Sequence, residues 1–202
     1  GADERGRPIR QANGSSIVGA IEQMQDYAAE QAMSALPARA SEAERQAAAA
    51  RARRESLDGL VARLNGAIAD PSYRVTRDYL LNTEHYYSHE FNLYANEFAR
   101  EICGDPQFFY HRGLRSIPKS IIHVARPLSL AQIYRMLPSL VAKVTQADVR
   151  TALTADQSAV LQWHPGCQFE DIPPAIHRHY MRMACRAYQG AYASIPQLHS
   201  GL

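Results

Sequence analysis

Ile17, Ile21, Met24, Ala28 and Gln31 recur at three- and four-residue intervals, which predicts a thin apolar stripe on a helix from about Ser15 to Leu36. Ser15 or Ser16 is the expected N-cap and Pro37 the stop. Ser41-Glu42-Ala43-Glu44 has the form of a capping box, in which the serine hydroxyl accepts from a backbone amide while the glutamate reaches back. The helix it opens is rich in alanine and arginine up to residue 54, then carries Leu57, Leu60, Val61, Leu64 and Ile68 as its stripe, and Asp70-Pro71 ends it. Two helices with such narrow apolar faces build no core alone. Each is expected to pack on the rest of the chain or on another chain, as a surface helical hairpin or as a dimerising, signal-relaying coiled coil.

From Ser72 the pattern changes, and tyrosine and phenylalanine crowd into residues 73–110. Asn82 or Thr83 is the expected cap of a long helix to Cys103, with Gly104 as its stop. On that helix Tyr87, Phe91, Tyr94, Phe98 and Ile102 fall at spacings of four, three, four and four, so they predict one aromatic face. A short helix follows from Asp105-Pro106 through His111, and Gly113 is read as its end. Residues 120–126 fit a helix or a strand equally. Ser129 caps a predicted helix through about Lys143, with Leu130, Ile133, Tyr134, Leu137, Leu140 and Val141 inward and a kink at Pro138.

Val149–Leu153 and Ser158–His164 alternate like strands around a turn at residues 154–157. Pro173-Pro174 opens a last helix to about Ser194, with Ile176, Tyr180, Met183, Ala184, Ala187 and Ala191 on a broad face and Ile195-Pro196 as its end. The fold class read from this pattern is α+β and predominantly helical. Helices pack on a short antiparallel sheet (a hairpin at about 149–164), preceded by an N-terminal helical hairpin or coiled-coil segment. Residues 1–14 are polar and read as a disordered leader, 15–70 as a helical pair for dimerisation or relay, and 71–202 as an aromatic-rich, sensor-like domain.

Composition narrows the function classes. In 202 residues, 46% hydrophobic and 21% charged side chains exclude wholesale disorder. No apolar run approaches the roughly 18–20 residues of a membrane span. The net charge is +2, and residues 1–69 hold nine acidic and nine basic side chains, so charge does not point to nucleic acid. Cys103, Cys167 and Cys185 lack CxxC spacing, which suits a reducing cytoplasm and gives no zinc site. Cys103 and Cys185 lie on predicted apolar faces and read as inert buried thiols. GxSxG and GxGxxG are absent. His85 and His89 stand four apart on the predicted helix without the HExxH pattern, and read as surface or interface histidines. No metal is expected.

What remains is a set of candidate ligand-binding residues. Tyr87, Phe91, Tyr94, Phe98, Trp163 and Tyr180 read either as ordinary core aromatics or as the apolar walls of a pocket with a few polar tips. Arg112, Arg115 and Arg126 lie near one another in sequence and either meet an acidic head group or face solvent, and His123 is a further candidate ligand-binding residue. An enzyme would need converging titratable side chains, for which His123, His164 and Asp171 are the first candidates, but catalysis is not expected of this chain.

Residues 78–202 run from Tyr94-Ala95-Asn96-Glu97-Phe98 through Gly104-Asp105-Pro106 to Cys185-Arg186-Ala187-Tyr188-Gln189-Gly190-Ala191-Tyr192-Ala193-Ser194-Ile195-Pro196. In that order they resemble bacterial sensory domains related to the haem–nitric-oxide-binding and four-vinyl-reductase group, of the kind attached to nucleotide cyclases, diguanylate cyclases or histidine kinases. Domains of that kind continue past the Ile-Pro segment into another hairpin, so the resemblance implies a sheet completed beyond Leu202 or by a partner chain. The haem-binding branch uses Tyr-x-Ser-x-Arg; Tyr73-Arg74-Val75-Thr76-Arg77 has Val in the Ser position, and no haem residues carry over.

The resemblance implies a regulatory ligand-sensing module of a bacterial signalling protein. It binds a small apolar or amphipathic ligand and relays a conformational change, without a cofactor, in the cytoplasm, as a homodimer coupled to an output domain or partner protein. Any catalysis then belongs to the output domain. The alternatives are a non-catalytic interaction or dimerisation domain without ligand, and a haem-based gas sensor.

Overall fold

The computed structural model describes residues 12–70, 72–116, 127–129, 131–136, 139, 150–153, 160–163 and 172–200. In chain order these form β1 (Ala12–Asn13), α1 (Ser15–Ser34), α2 (Glu42–Ala67), α3 (Arg77–Leu80), β2 (Tyr86–Tyr87), α4 (His89–Cys103), α5 (Phe108–Arg115), β3 (Arg150–Leu153), β4 (Val160–Trp163) and α6 (Pro174–Ser200). A short helical run at 131–136 precedes β3. The protein is predominantly helical, and among the described residues no helix is long and apolar enough to cross a membrane.

The start of α1 is capped by Gly14 rather than by Ser15 or Ser16. Its carbonyl accepts from the Ile17 and Val18 amides at 3.0 Å each, and its own N–H donates to the His85 carbonyl at 2.8 Å. A Cβ on Gly14 would lie 2.2 Å from the Asn82 carbonyl oxygen, so this close approach needs glycine. The same approach lets β1 pair antiparallel with β2, Ala12 opposite Tyr87. At α2 the capping box forms in full: the Ser41 amide donates to Glu44 Oε2 at 2.7 Å, and the Glu44 amide to Ser41 Oγ at 3.3 Å. α1 and α2 pack on each other and both pack on α4.

Ile17, Ile21, Met24, Leu57, Leu60 and Leu64 share one core cluster with Val75, Leu80, Tyr87, Leu93, Phe108, Phe109, Tyr180 and Met183. Side chains from 15–70 and from the later segment thus meet in the same core. Ala28 and Gln31 complete the predicted α1 stripe but stay outside that buried set.

Three further expectations change. The aromatic helix begins at His89, not near Asn82, because Ser88 caps it: Ser88 Oγ accepts the Phe91 amide at 3.1 Å. Tyr87 therefore lies in β2, and His85 in the preceding turn shares no helix face with His89. The inward face of α4 is Asn92, Leu93, Ala95, Asn96, Ala99 and Cys103. Small alanines let α1 and α2 approach closely, and the asparagines are buried because their amides find partners there. Phe91, Phe98 and Ile102 are displaced to the half-buried flank, and Tyr94 is 43% exposed.

The expected stop at Gly104 holds: it adopts the left-handed conformation (φ 72°) and donates to the Arg100 carbonyl at 2.9 Å. Gly113, by contrast, does not end α5, which continues to Arg115. It is the point where α6 crosses. A Cβ on Gly113 would stand 1.9 Å from the Ala187 carbonyl oxygen, and one on Gly190 would stand 2.0 Å from that of Tyr110.

α6 also runs past Ile195-Pro196 to Ser200, since an internal proline removes one ladder bond while its neighbours can keep theirs. β3 pairs antiparallel with β4, Arg150 opposite Trp163 and Leu153 opposite Val160. The core described above is drawn from helices and the segments flanking them. The predicted kink at Pro138 and the segment 120–126 lie outside the described residues.

Candidate functional site

Two constellations collect the polar chemistry. The first is a buried network that joins four helices. Arg112 on α5 donates through Nη1 to Asn96 Oδ1, to the Ser16 carbonyl at 3.2 Å and to Ser16 Oγ at 3.3 Å. Asn96 Nδ2 donates back to the Asn92 carbonyl at 2.8 Å and to Asn92 Oδ1 at 3.1 Å. Asn92 Nδ2 reaches the Tyr180 hydroxyl on α6 at 3.4 Å, and His89 Nδ1 lies 3.1 Å from the same oxygen.

Among the described residues no carboxylate pairs with Arg112; neutral oxygens hold it. Arg112 keeps part of its surface, yet its guanidinium lies deep among packed helices, and that burial lowers its pKa to about 10. It remains charged at neutral pH. Burial raises the pKa of Tyr180, against the opposing pull of the Asn92 hydrogen bond and the Arg112 charge.

The second constellation is an open cleft of about 490 Å³ where the end of α4, the start of α5 and the outer face of α6 come together. Arg100, Arg182 and Arg186 line it with Pro106, Gln107, Phe109 and Tyr110. Its position follows from the glycine crossing of α5 and α6 and from the Asp105 turn. In that turn Asp105 Oδ1 accepts the Gln107 amide at 2.8 Å.

Behind the arginines stands Glu97. Arg100 Nε donates to Glu97 Oε2 at 2.7 Å, and Arg182 Nη2 is 3.8 Å from Glu97 Oε1. Glu97 Oε1 is buried and accepts no hydrogen bond among the described residues. Arg182 also contacts His179 Nδ1 at 3.2 Å, and Arg186 donates to Gln189 Oε1 at 3.1 Å. A wall of guanidinium, amide and phenol donors beside aromatic rings suits an amphipathic ligand with an acidic end.

The residues singled out from the sequence divide between these places and others. Arg112 and Tyr180 belong to the buried network, where they serve each other. Tyr87 is buried, donates to the Tyr79 carbonyl and stacks on Phe91 with centroids 5.1 Å apart. Tyr79 and Tyr87 both have their phenol pKa raised, chiefly by burial. Tyr94 stacks on Phe98 at 6.2 Å near the surface, and Arg63 lies over the Phe98 ring at 5.5 Å. Arg115 is more than half exposed and pairs with Asp26 at 3.4 Å.

Trp163 sits in β4; His123, Arg126, His164 and Asp171 lie outside the described residues. Among the described residues, Arg112 and Tyr180 share the buried network, while Tyr87, Phe91, Tyr94, Phe98 and Arg115 lie outside it. Sequence reasoning missed Asn92, Asn96, Arg100, Gln107, Arg182 and Arg186. The spacing of four between Asn92 and Asn96, and again between Arg182 and Arg186, was the available signal.

Cys103 is buried with its thiol pKa raised by desolvation, which makes it a poor nucleophile at neutral pH. Cys185 is exposed, against the expectation of a buried thiol. A second cleft of about 380 Å³ is lined by Gln23, Tyr27, Glu30, Asp105, His111, Leu114 and Arg115. There Asp105 Oδ2 lies 2.7 Å from His111 Nδ1. Among the described residues no group of three or more His, Cys, Asp or Glu side chains could hold a metal ion. No protein family, curated protein or solved structure matches this chain.

Proposed function

We propose that the protein is a ligand-sensing module of a signalling protein, which takes a small amphipathic molecule in the arginine-lined cleft and passes on a change in helix packing. The observation that carries this reading is the cleft itself: Arg100, Arg182, Arg186 and Gln107 line it together with Phe109 and Tyr110, where α5 and α6 cross at Gly113 and Gly190. A ligand wedged against both helices favours one crossing geometry over another. Unequal affinity for two packings is what sensing requires. The buried network gives that shift a route, since Arg112 and Tyr180 tie the same two helices to α4 and to α1. In this reading the β3–β4 hairpin is the short sheet on which the helices move, and the module works as a cytoplasmic homodimer joined to an output domain.

Thermal denaturation of the full chain with benzoate, octanoate and phenyl phosphate tests the reading. A rise in Tm with at least one of them, with slower amide exchange in α1 and α5, is expected. No shift with any of them removes the sensing reading. An interaction role without ligand is the second reading. It is favoured by Tyr73, Leu81 and Tyr86, which stand 40%, 43% and 58% exposed within one short segment. Self-association lost on replacing all three with serine, with no ligand response, would select it.

A further inference from the structure

The charge around the cleft is uneven. Of its three guanidinium groups, Arg100 is neutralised by Glu97 at 2.7 Å. Glu101 lies 3.9 Å from Arg100 but is held by Arg63 at 2.8 Å. Arg186 is bonded to a neutral amide oxygen, and Arg182 to an imidazole nitrogen, with Glu97 only at 3.8 Å. Among the described residues, three cations against one carboxylate leave two positive charges facing the same space. Arg182 and Arg186 stand four residues apart on α6, where like charges repel. Among the described residues no carboxylate lines the cleft itself.

From this arrangement we infer that the cleft is a phosphomonoester site: Arg182 and Arg186 bind the dianionic phosphate, Gln107 and Tyr110 add donors, and the Phe109 and Tyr110 rings take the apolar body. A carboxylate carries one charge and two acceptor oxygens. A phosphate monoester carries close to two charges and three oxygens, which matches the unspent charge and the number of donors. The donors are guanidinium groups, whose planar fork suits phosphate. Glu97 competes with the ligand for Arg182, so it sets the affinity from behind the site. This inference rests on the reading of the cleft as a ligand site and specifies its chemistry.

Isothermal titration of the full chain with phenyl phosphate, benzoate and benzyl alcohol tests it. Phenyl phosphate is expected to bind at least about tenfold more tightly than benzoate, with benzyl alcohol weaker still. Benzoate binding as tightly as phenyl phosphate overturns the phosphate assignment and leaves the cleft reading standing. Binding of none of the three overturns both. R182Q/R186Q is expected to lose phenyl phosphate binding by about tenfold or more, and retained binding in that variant places the site elsewhere.

E97Q guards against misfolding as an explanation, because it should move affinity the other way. Releasing Arg100 and Arg182 is expected to tighten phenyl phosphate binding, and weaker binding counts against the inference. Vesicles of phosphatidylcholine with phosphatidic acid separate the sources of the phosphate. Sedimentation with them that is lost in R182Q/R186Q assigns a lipid-borne phosphate. Binding of phenyl phosphate without sedimentation assigns a free one.

Discussion

Arg112 holds a positive charge inside the helix cluster, and among the described residues only neutral oxygens answer it. Each of those oxygens therefore matters more than an ordinary surface acceptor, since a buried cation that loses a partner bears its full desolvation penalty. Asn96 is the pivot: it accepts from Arg112 and donates to Asn92, and it is fully buried. Asn96→Leu is expected to destabilise the fold by about 2–3 kcal/mol, read as a lower urea midpoint at unchanged slope. The double variant N96L/R112M should be more stable than the sum of the single effects predicts. Once the cation is gone, the leucine leaves no charge stranded. Strictly additive single effects would mean that the two side chains are not coupled, and the network would then be no route between helices.

At the scale of elements, the crossing of α5 and α6 is set by two absent side chains. A Cβ at Gly190 would meet the Tyr110 carbonyl oxygen at 2.0 Å, and backbone cannot step aside as a side-chain end can. Gly190→Ala is expected to cost at least about 2 kcal/mol and to abolish the ligand-induced rise in Tm, because the helices must separate. Gly19 in α1 is the contrast: a Cβ there meets nothing within 4 Å, so Gly19→Ala should stabilise by about 0.5–1 kcal/mol through helix propensity alone. Thermal melts of the two variants, run together, separate close packing from propensity.

Which elements were legible in the sequence follows from how local their causes are. The α2 cap was legible because Ser41 and Glu44 lie within one turn and need no other part of the chain. The start of α4 was not. Asn82 does use its side chain as a cap does, but Oδ1 accepts the Glu84 amide at 3.0 Å and closes a turn, while Ser88 takes the helix. What separates the two is the pairing of Tyr86 and Tyr87 with β1, a partner some seventy residues away in the chain. The aromatic face of α4 misled for the same reason: periodicity marks faces, but Asn92 and Asn96 take the inner one only because Arg112 and Tyr180 arrive from α5 and α6. The cleft needed that docking too, for Arg100 meets Arg182 and Arg186 only across two helices.

Across the whole molecule, tyrosine joins the parts, and its ionisation should take them apart. Tyr79 lies on α3 and Tyr87 in β2, Tyr134 in the 131–136 run, and Tyr180 and Tyr192 on α6. Desolvation is the largest cause of a raised phenol pKa in all five, and Tyr192 is pushed to about 12. The folded state thus holds these protons more tightly than the unfolded chain, where a tyrosine titrates near pH 10. Their contribution is complete below about pH 10 and is lost as pH rises through the folded values. Arg112 acts in the opposite sense, because its pKa is lowered in the folded state to about 10 and the unfolded chain binds that proton more firmly. One such group against five leaves a net loss of stability with rising pH. A titration that follows tyrosinate absorbance and helical ellipticity together is therefore expected to show some phenols ionising late and together, as the helices melt above about pH 10. Smooth ionisation of all eleven tyrosines near pH 10, with the helical signal intact, would mean that these phenols are not the buried contacts described above.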